Sequence, residues 1–264
     1  GDYLFLRGDY HLVFDQIVNY FKNVILYRAG VLSGKSQIYD KYINLYLFDD
    51  KNSKSYFNAK KRYNNSVFVR MLKQVSTYNF SYKATDIIYD IFIIAKERNV
   101  ADNYKLIFEL LDYLKNNKIH NKKILIVGFK EDSEKLIEEL YKKYEKLDLT
   151  LYGIVSTKDI CRYYNLSKIL FIPTIHDGNP RIICEAFLCG LKPVCSSLLE
   201  SGKDQIRKYG GAVIVYDKEI YKNLIIESEK NYNKYKLSII GKKFGEITVK
   251  NIIKKFKPFS NLAN

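Results

Sequence analysis

Two carboxylates, Asp177 and Glu185, bracket a turn within KILFIPTIHDGNPRIICEAFLCGLKPVCSS, residues 168–197. The stretch parses as strand, loop, helix, strand. Asn179 suits an N-cap, Pro180 suits the first helical turn, and Gly190 can take the left-handed stop. A polar, glycine-bearing loop that enters a helix from the carboxyl end of a parallel strand offers unpaired N–H groups, here those within 179–182 apart from Pro180, to an anion. That is where α/β proteins bind phosphate. Each carboxylate accepts two hydroxyl hydrogens, so one can hold a sugar hydroxyl while the other holds a ribose. The plainer alternative is a capping turn with Glu185 on a solvated face.

The elements that must position these groups follow from periodicity. Short β-branched and aromatic runs predict strands at Tyr3–Leu6, Asn23–Tyr27, Ile43–Phe48, Val67–Met71, Ile87–Ile94, Lys123–Val127, Leu149–Tyr152, Lys168–Ile172, Pro193–Ser196 and Ala212–Val215. Tyr104–Asn116 and Asp132–Glu145 place apolar residues three and four apart, as helices packed on a sheet do. Strand and helix in alternation imply a parallel α/β sheet. Ser, Thr, Asn and Lys interrupt the apolar pattern at 76–85, which divides the chain into domains at 1–80 and 81–264. The tail from Asn231 to Phe256 reads as a pair of basic amphipathic helices with a solvated lysine face.

A second phosphate-type motif, AGVLSGKS at 29–36, is a relaxed P-loop pattern after the strand NVILY. A P-loop helix must run back along the sheet before the next parallel strand, and only Ser36–Tyr42 is available for that crossover. Seven helical residues rise about 10 Å, whereas six strand residues cover about 20 Å. Geometry therefore favours a flexible polar loop built on Gly30, Gly34 and Lys35.

The 264 residues carry a net charge of +15, are 47% apolar and 28% charged, and include 4 Pro and 13 Gly, which excludes collagen-like, disordered and coiled-coil classes. No apolar run reaches the roughly 18 residues of a membrane helix and no charged-then-apolar leader opens the sequence, so a soluble, cytoplasmic chain is expected. The chain opens on Gly1 instead of Met, as a trimmed chain or a separate domain would. The positive charge invites phosphate-bearing partners, including an anionic membrane touched peripherally, but Lys far outnumbers Arg and acidic residues interleave, so a nucleic-acid partner is not indicated. Cys161, Cys184, Cys189 and Cys195 form no CxxC pair and read as buried reduced thiols.

At this point the motif resembles the donor site of retaining glycosyltransferases of the GT-B fold, family 4 type, the glycosyl transferases group 1. In that family a carboxylate, Gly, x, Pro precedes a Glu-Ala helix and a Gly-x-Pro-Val strand. Here these are Asp177, Gly178, Pro180, Glu185, Ala186, Gly190, Pro193 and Val194. IIYDIFIIAKER, KILIVGF, LYGIVSTKDICRYYNLSKILFIPT and GGAVIVYDKEIYKNLI are similar to successive family elements, covering nearly all of Thr85–Phe256. Upstream, residues 43–75 resemble the last strand-helix-strand of the acceptor domain.

The resemblance implies an α/β, GT-B-like fold: a Rossmann-type carboxyl-terminal nucleotide-sugar domain at 81–264 and a shortened amino-terminal acceptor-side domain at 1–80. It implies transfer of a sugar, with retention, from a UDP- or GDP-linked donor to a glycan or lipid-linked acceptor hydroxyl. Glu185 would hold the ribose and Asp177 the hexose, with backbone donors from Gly178 and Asn179 and with His176, Pro180 and Arg181 beside them. Lys96, Arg98 and Lys105 would grip the diphosphate, while Gly128, Gly153 and Val155 would flank the base. Asp177 replaces the family's usual Glu, and Arg28 stands where the family commonly has an acceptor-side His, which makes Arg28 the candidate there. No DxD-type cluster calls for a metal, so helix N–H groups, Lys and Arg would meet the charge on the leaving diphosphate, and no cofactor is expected. The alternatives are a noncatalytic nucleotide-sugar-binding subunit, a P-loop nucleotide-binding protein and a basic nucleic-acid-binding module.

Overall fold

The computed structural model describes residues 3–7, 20–21, 23–28, 45–48, 75, 77–95, 100–130, 133–175, 180–200 and 202–243. They fall in two compact units, Gly1–Gln74 with Asp177–Pro180 and Lys243–Asn264, and Val75–His176 with Arg181–Lys242.

In the first unit, β1 (Tyr3–Arg7), β2 (Asn23–Arg28) and β3 (Leu45–Phe48) form a parallel sheet in the order β1-β2-β3. Tyr3 pairs with Asn23 and Ile25 with Leu45, and Val24 and Ile25 are buried. The expected strand at Val67–Met71 lies outside the described residues. β2 is described to Arg28 and β3 from Leu45, so the expected strand start at Ile43 lies outside the described residues. The AGVLSGKS motif itself lies outside the described residues.

The second unit is a doubly wound sheet. Its strands are β4 (Tyr89–Ile94), β5 (Lys123–Val127), β6 (Asp148–Tyr152), β7 (Ser167–Ile172), β8 (Lys192–Ser196) and β9 (Ala212–Ile214), all parallel, in the order β6-β5-β4-β7-β8-β9. The chain builds outward from β4 to β6, then returns to the other side of β4 and builds outward again. Six of the predicted strands are present. β4 starts two residues later than expected because its ladder partner β7 begins at Ser167, opposite Tyr89, and Ile87 and Ile88 are left exposed.

Between the strands run α1 (Val100–Asn116), α2 (Glu134–Lys143), α3 (Thr157–Leu166), α4 (Arg181–Leu188), α5 (Lys203–Lys208), α6 (Ile220–Glu229) and α7 (residues 234–243). The predicted helical spacing is realised in α1, where Leu106, Ile107, Leu110, Leu111 and Leu114 are fully buried against Ile91, Ile93, Ile124 and Ile126 of the central strands. A run of five such side chains supplies on the order of 10 kcal/mol of apolar burial, which anchors α1 behind β4 and β5.

The tip of α4 shows why a glycine is required. Leu191 N–H donates to Ala186 O at 2.8 Å and Gly190 N–H to Phe187 O at 3.0 Å, a Schellman stop with Gly190 at φ +71°. A Cβ on Gly190 would also lie 2.4 Å from the carbonyl oxygen of Lys234 in α7. Two constraints thus fix the same residue, and the expected helix end is where the sequence placed it.

Candidate functional site

The order β6-β5-β4-β7-β8-β9 reverses direction at the β4–β7 pair, whose carboxyl ends lie side by side with Ile93 opposite Phe171. In an open parallel sheet the crevice outside such a reversal is where ligands bind. Ala95 leaves β4 and Pro173, Thr174 and Ile175 leave β7 at this edge. The predicted residues Lys96 and Arg98 follow the first exit, and His176, Asp177, Gly178 and Asn179 follow the second. All six lie outside the described residues, so the reversal locates the stems of both segments and nothing further about them.

Glu185 is described, and its setting is specific. It sits in the second turn of α4, only 6% exposed. Tyr164 Oη donates to Glu185 Oε2 at 2.9 Å, and Arg181 Nε lies 3.4 Å from Glu185 Oε1, one turn toward the helix start. The plainer alternative of a solvated Glu185 therefore fails. Burying a carboxylate is costly unless donors meet it, and here they do. Tyr164 is completely buried, its ring packed edge-on against Phe92 of β4 at 5.4 Å and Phe80 at 6.0 Å. Burial, and then the adjoining Glu185 charge, push the Tyr164 hydroxyl well above its ordinary pKa, so it stays a donor. Pro180 is buried directly before α4, and the Arg181 side chain is largely exposed.

Gly128 and Gly153 are brought together. Gly128 N–H donates to Gly153 O at 2.9 Å, and Ala95 N–H donates to Val127 O at 2.7 Å. These bonds join the carboxyl ends of β4, β5 and β6. Gly128 has φ +94°, and a Cβ there would lie 2.9 Å from Ala95 O, so only glycine lets the three strand ends close. Val155 is half-buried two residues beyond Gly153. Lys105 lies in the second turn of α1, exposed and 3.9 Å from Glu109. Arg28 ends β2 in the other unit, where its backbone alone is described.

Two contributors went unread in the sequence. Tyr164, on α3, fixes Glu185. Asn165, its neighbour, accepts from Lys83 N–H at 2.6 Å and donates to Ser81 O at 3.0 Å, fastening the segment ahead of β4 onto α3. The signal for α3 was present: Ser156 and Asp159 form a capping pair, with Ser156 Oγ accepting from Asp159 N–H at 3.2 Å.

Against known proteins, the glycosyl transferases group 1 profile matches residues 89–239, more than half of the chain. The chain belongs to the glycosyl transferases group 1 family. No curated protein matches the sequence. Among solved structures, the sucrose-phosphate synthase of Thermosynechococcus elongatus matches with a TM-score of 0.65 at 13% identity, over 98% of this chain and 73% of its own. The pneumococcal O-GlcNAc transferase GtfA, solved with UDP and GlcNAc, matches at 0.63 and 12%, over 98% of this chain and 57% of its own. Anabaena HepE, solved with UDP and glucose, matches at 0.58 and 12%, over 91% and 71%. Identities this low bear on fold alone, which is α/β of the GT-B glycosyltransferase type. The chain spans little more than half the length of several structures it matches. No helix among the described residues is long and apolar enough to cross a membrane.

Proposed function

We propose that this group 1 glycosyltransferase chain binds a nucleoside-diphosphate sugar with residues 81–264 and transfers the sugar, with retention and without a metal, to a glycan or lipid-linked hydroxyl met by residues 1–80. The observation that carries the reading is Glu185, a buried carboxylate one turn inside a helix that follows the sheet's reversal point, with Tyr164 and Arg181 fixing its orientation. A carboxylate so held presents acceptor lone pairs to a cis-diol such as ribose. Asp177 takes the hexose hydroxyls, and the amides of Gly178 and Asn179 take the diphosphate with Lys96, Arg98 and Lys105. His176, Pro180 and Arg181 shape the entrance to that pocket. Gly128, Gly153 and Val155 flank the base in this reading, which the Gly128 N–H to Gly153 O hydrogen bond supports by joining the first two. Solved relatives of the same fold hold UDP, which favours UDP over GDP.

In the chemical step the bond between the anomeric carbon and the diphosphate oxygen lengthens, and negative charge grows on the leaving group. Helix N–H groups and cations already aimed at that oxygen stabilise the charge without reorganising, the usual source of large rate gains. The acceptor hydroxyl approaches from the face the diphosphate is leaving, loses its proton to it, and so keeps the anomeric configuration. Arg28 is the candidate for the acceptor-side role in this reading.

Calorimetric titration with UDP and GDP tests the reading. UDP should bind with millimolar or tighter affinity, and hydrolysis or transfer of UDP-glucose or UDP-GlcNAc should persist in excess EDTA. Absence of binding by either nucleotide overturns the reading. Binding without hydrolysis or transfer favours a noncatalytic nucleotide-sugar-binding subunit.

A further inference from the structure

Cys161, in α3, and Cys189, just past the end of α4, place their sulfurs 3.8 Å apart. Neither is in a disulfide, and the pair belongs to the same α3–α4 contact that carries the Tyr164–Glu185 hydrogen bond. A cavity of about 670 Å³ opens beside α3, lined by Cys161 with Ser81, Lys83, Arg162 and Asn165. Cys161 is the member of the pair that reaches the cavity, being 8% exposed where Cys189 is fully buried. Small polar molecules thus have a route to one sulfur and not to the other.

We propose that Cys161 and Cys189 are a peroxide-reactive dithiol that closes into an intramolecular disulfide tying α3 to the end of α4. The Cys161 thiolate attacks one peroxide oxygen, the O–O bond breaks, and hydroxide leaves and takes up a proton as water. The sulfenic acid so formed is attacked by the Cys189 sulfur, the S–O bond breaks, and the Cys189 proton leaves with the hydroxyl as a second water. Both thiols are oxidised and one peroxide is reduced.

The surroundings sort the two sulfurs into these roles. The hydrogen bond from Cys189, followed by the Ser81 backbone and the charge of Lys83, pulls the Cys161 thiol down to about 6 against the raising effect of burial. That same bond, together with burial, holds Cys189 as the protonated partner. Asn165 Nδ2 lies 3.8 Å from the Cys161 sulfur while donating to Ser81 O and Cys161 O, which holds the backbone around that sulfur in place. By contrast, burial raises the Cys195 thiol to about 12. Closing from 3.8 Å to the roughly 2.0 Å of a disulfide needs side-chain rotation in a contact that already exists.

The test is peptide mapping of the full chain after brief treatment with stoichiometric hydrogen peroxide and blocking of remaining thiols. Trypsin cuts after Lys158, Arg162, Arg181 and Lys203, with Lys192 protected by Pro193, so the bridge should join residues 159–162 to residues 182–203 with the loss of two hydrogens. Fragmentation should place the second sulfur at Cys189. The thermal midpoint should rise by several degrees and return on adding dithiothreitol. Cys189→Ser should abolish the link and leave a sulfenic acid at Cys161 that dimedone traps, while Cys184→Ser and Cys195→Ser should keep the link. Unmodified thiols after treatment, a bridge through Cys184 or Cys195, or a bridge only between two chains would overturn the proposal. Mapping the unsubstituted chain decides the matter even if a serine variant fails to fold, and it does so whatever nucleotide the chain binds.

Discussion

Glu185 and Glu109 are built alike. Each is a helix carboxylate with a cation four residues earlier, Arg181 at 3.4 Å and Lys105 at 3.9 Å, and each accepts from tyrosine hydroxyls of a neighbouring element. They differ in depth and in the elements their bonds join. Glu109 takes Tyr221 Oη at 2.6 Å and Tyr216 Oη at 3.3 Å and keeps a side chain one-third exposed. Its bonds join α1 to α6 and to the residue two past β9, behind the sheet's edge. Glu185 takes the hydroxyl of one fully buried tyrosine, is itself nearly inaccessible, and stands one turn inside the helix that follows the β7 exit. The difference teaches that Glu109 ties elements together at a partly open edge, whereas Glu185 is held deep on α4 by a buried partner, the seat that its proposed ribose role requires.

The largest expected contrast is in ligand binding. Glu185→Gln should weaken UDP binding by about tenfold or more, the loss of one charged hydrogen bond, while Glu109→Gln should leave the dissociation constant within error. Equal effects in calorimetry would erase the distinction. Stability should give a smaller and differently ordered contrast. Tyr164→Phe removes a donor to a buried carboxylate and should cost about 1–3 kcal/mol in urea unfolding, whereas Tyr221→Phe leaves Tyr216 and Lys105 in place and should cost about 1 kcal/mol. A Tyr221→Phe loss exceeding that of Tyr164→Phe would reverse the assignment of tie and seat.

A third carboxylate sharpens the comparison by exchanging tyrosines for lysines. Glu227 of α6 accepts from Lys192 Nζ at 2.7 Å and also contacts Lys230. Burial alone would raise its carboxyl, but the hydrogen bonds and charges of the two lysines outweigh it and hold it below the usual 4.5. A depressed folded value means the contribution is complete above pH 4.5 and fades as pH falls through the folded value. Glu227→Gln should therefore flatten the acid limb of the stability curve by about 1 kcal/mol or less, and an unchanged limb would show that the pair contributes nothing measurable.

Much of this frame is readable from residues alone. Ile124, Leu125 and Ile126, or Leu170 and Phe171, are continuous apolar runs that only a strand covered on both faces explains. Asn179, Pro180, Glu185 and Gly190 mark a helix by start, content and stop, and the observed helix spans Arg181–Leu188. What composition hides is partnership at a distance. Tyr164 looks like one aromatic among twenty-four tyrosines until α3 is laid beside α4, and the Asn165 clamp depends on a segment some eighty positions earlier. The roles given to Asp177, Lys96 and Arg98 still rest on motif and spacing, because the strand ends show where their segments begin and not where their side chains go.

The back of α4 carries one more consequence. Gly241 of α7 sits so close to Phe187 and Leu188 that a Cβ would lie 2.7 Å from their backbone, and the Lys234 carbonyl closes over Gly190. During synthesis residue 241 arrives more than fifty codons after that helix has been translated, so the contact between α4 and α7 can close only then. A nascent chain stalled earlier would leave the backbone of Phe187 and Leu188 without that cover.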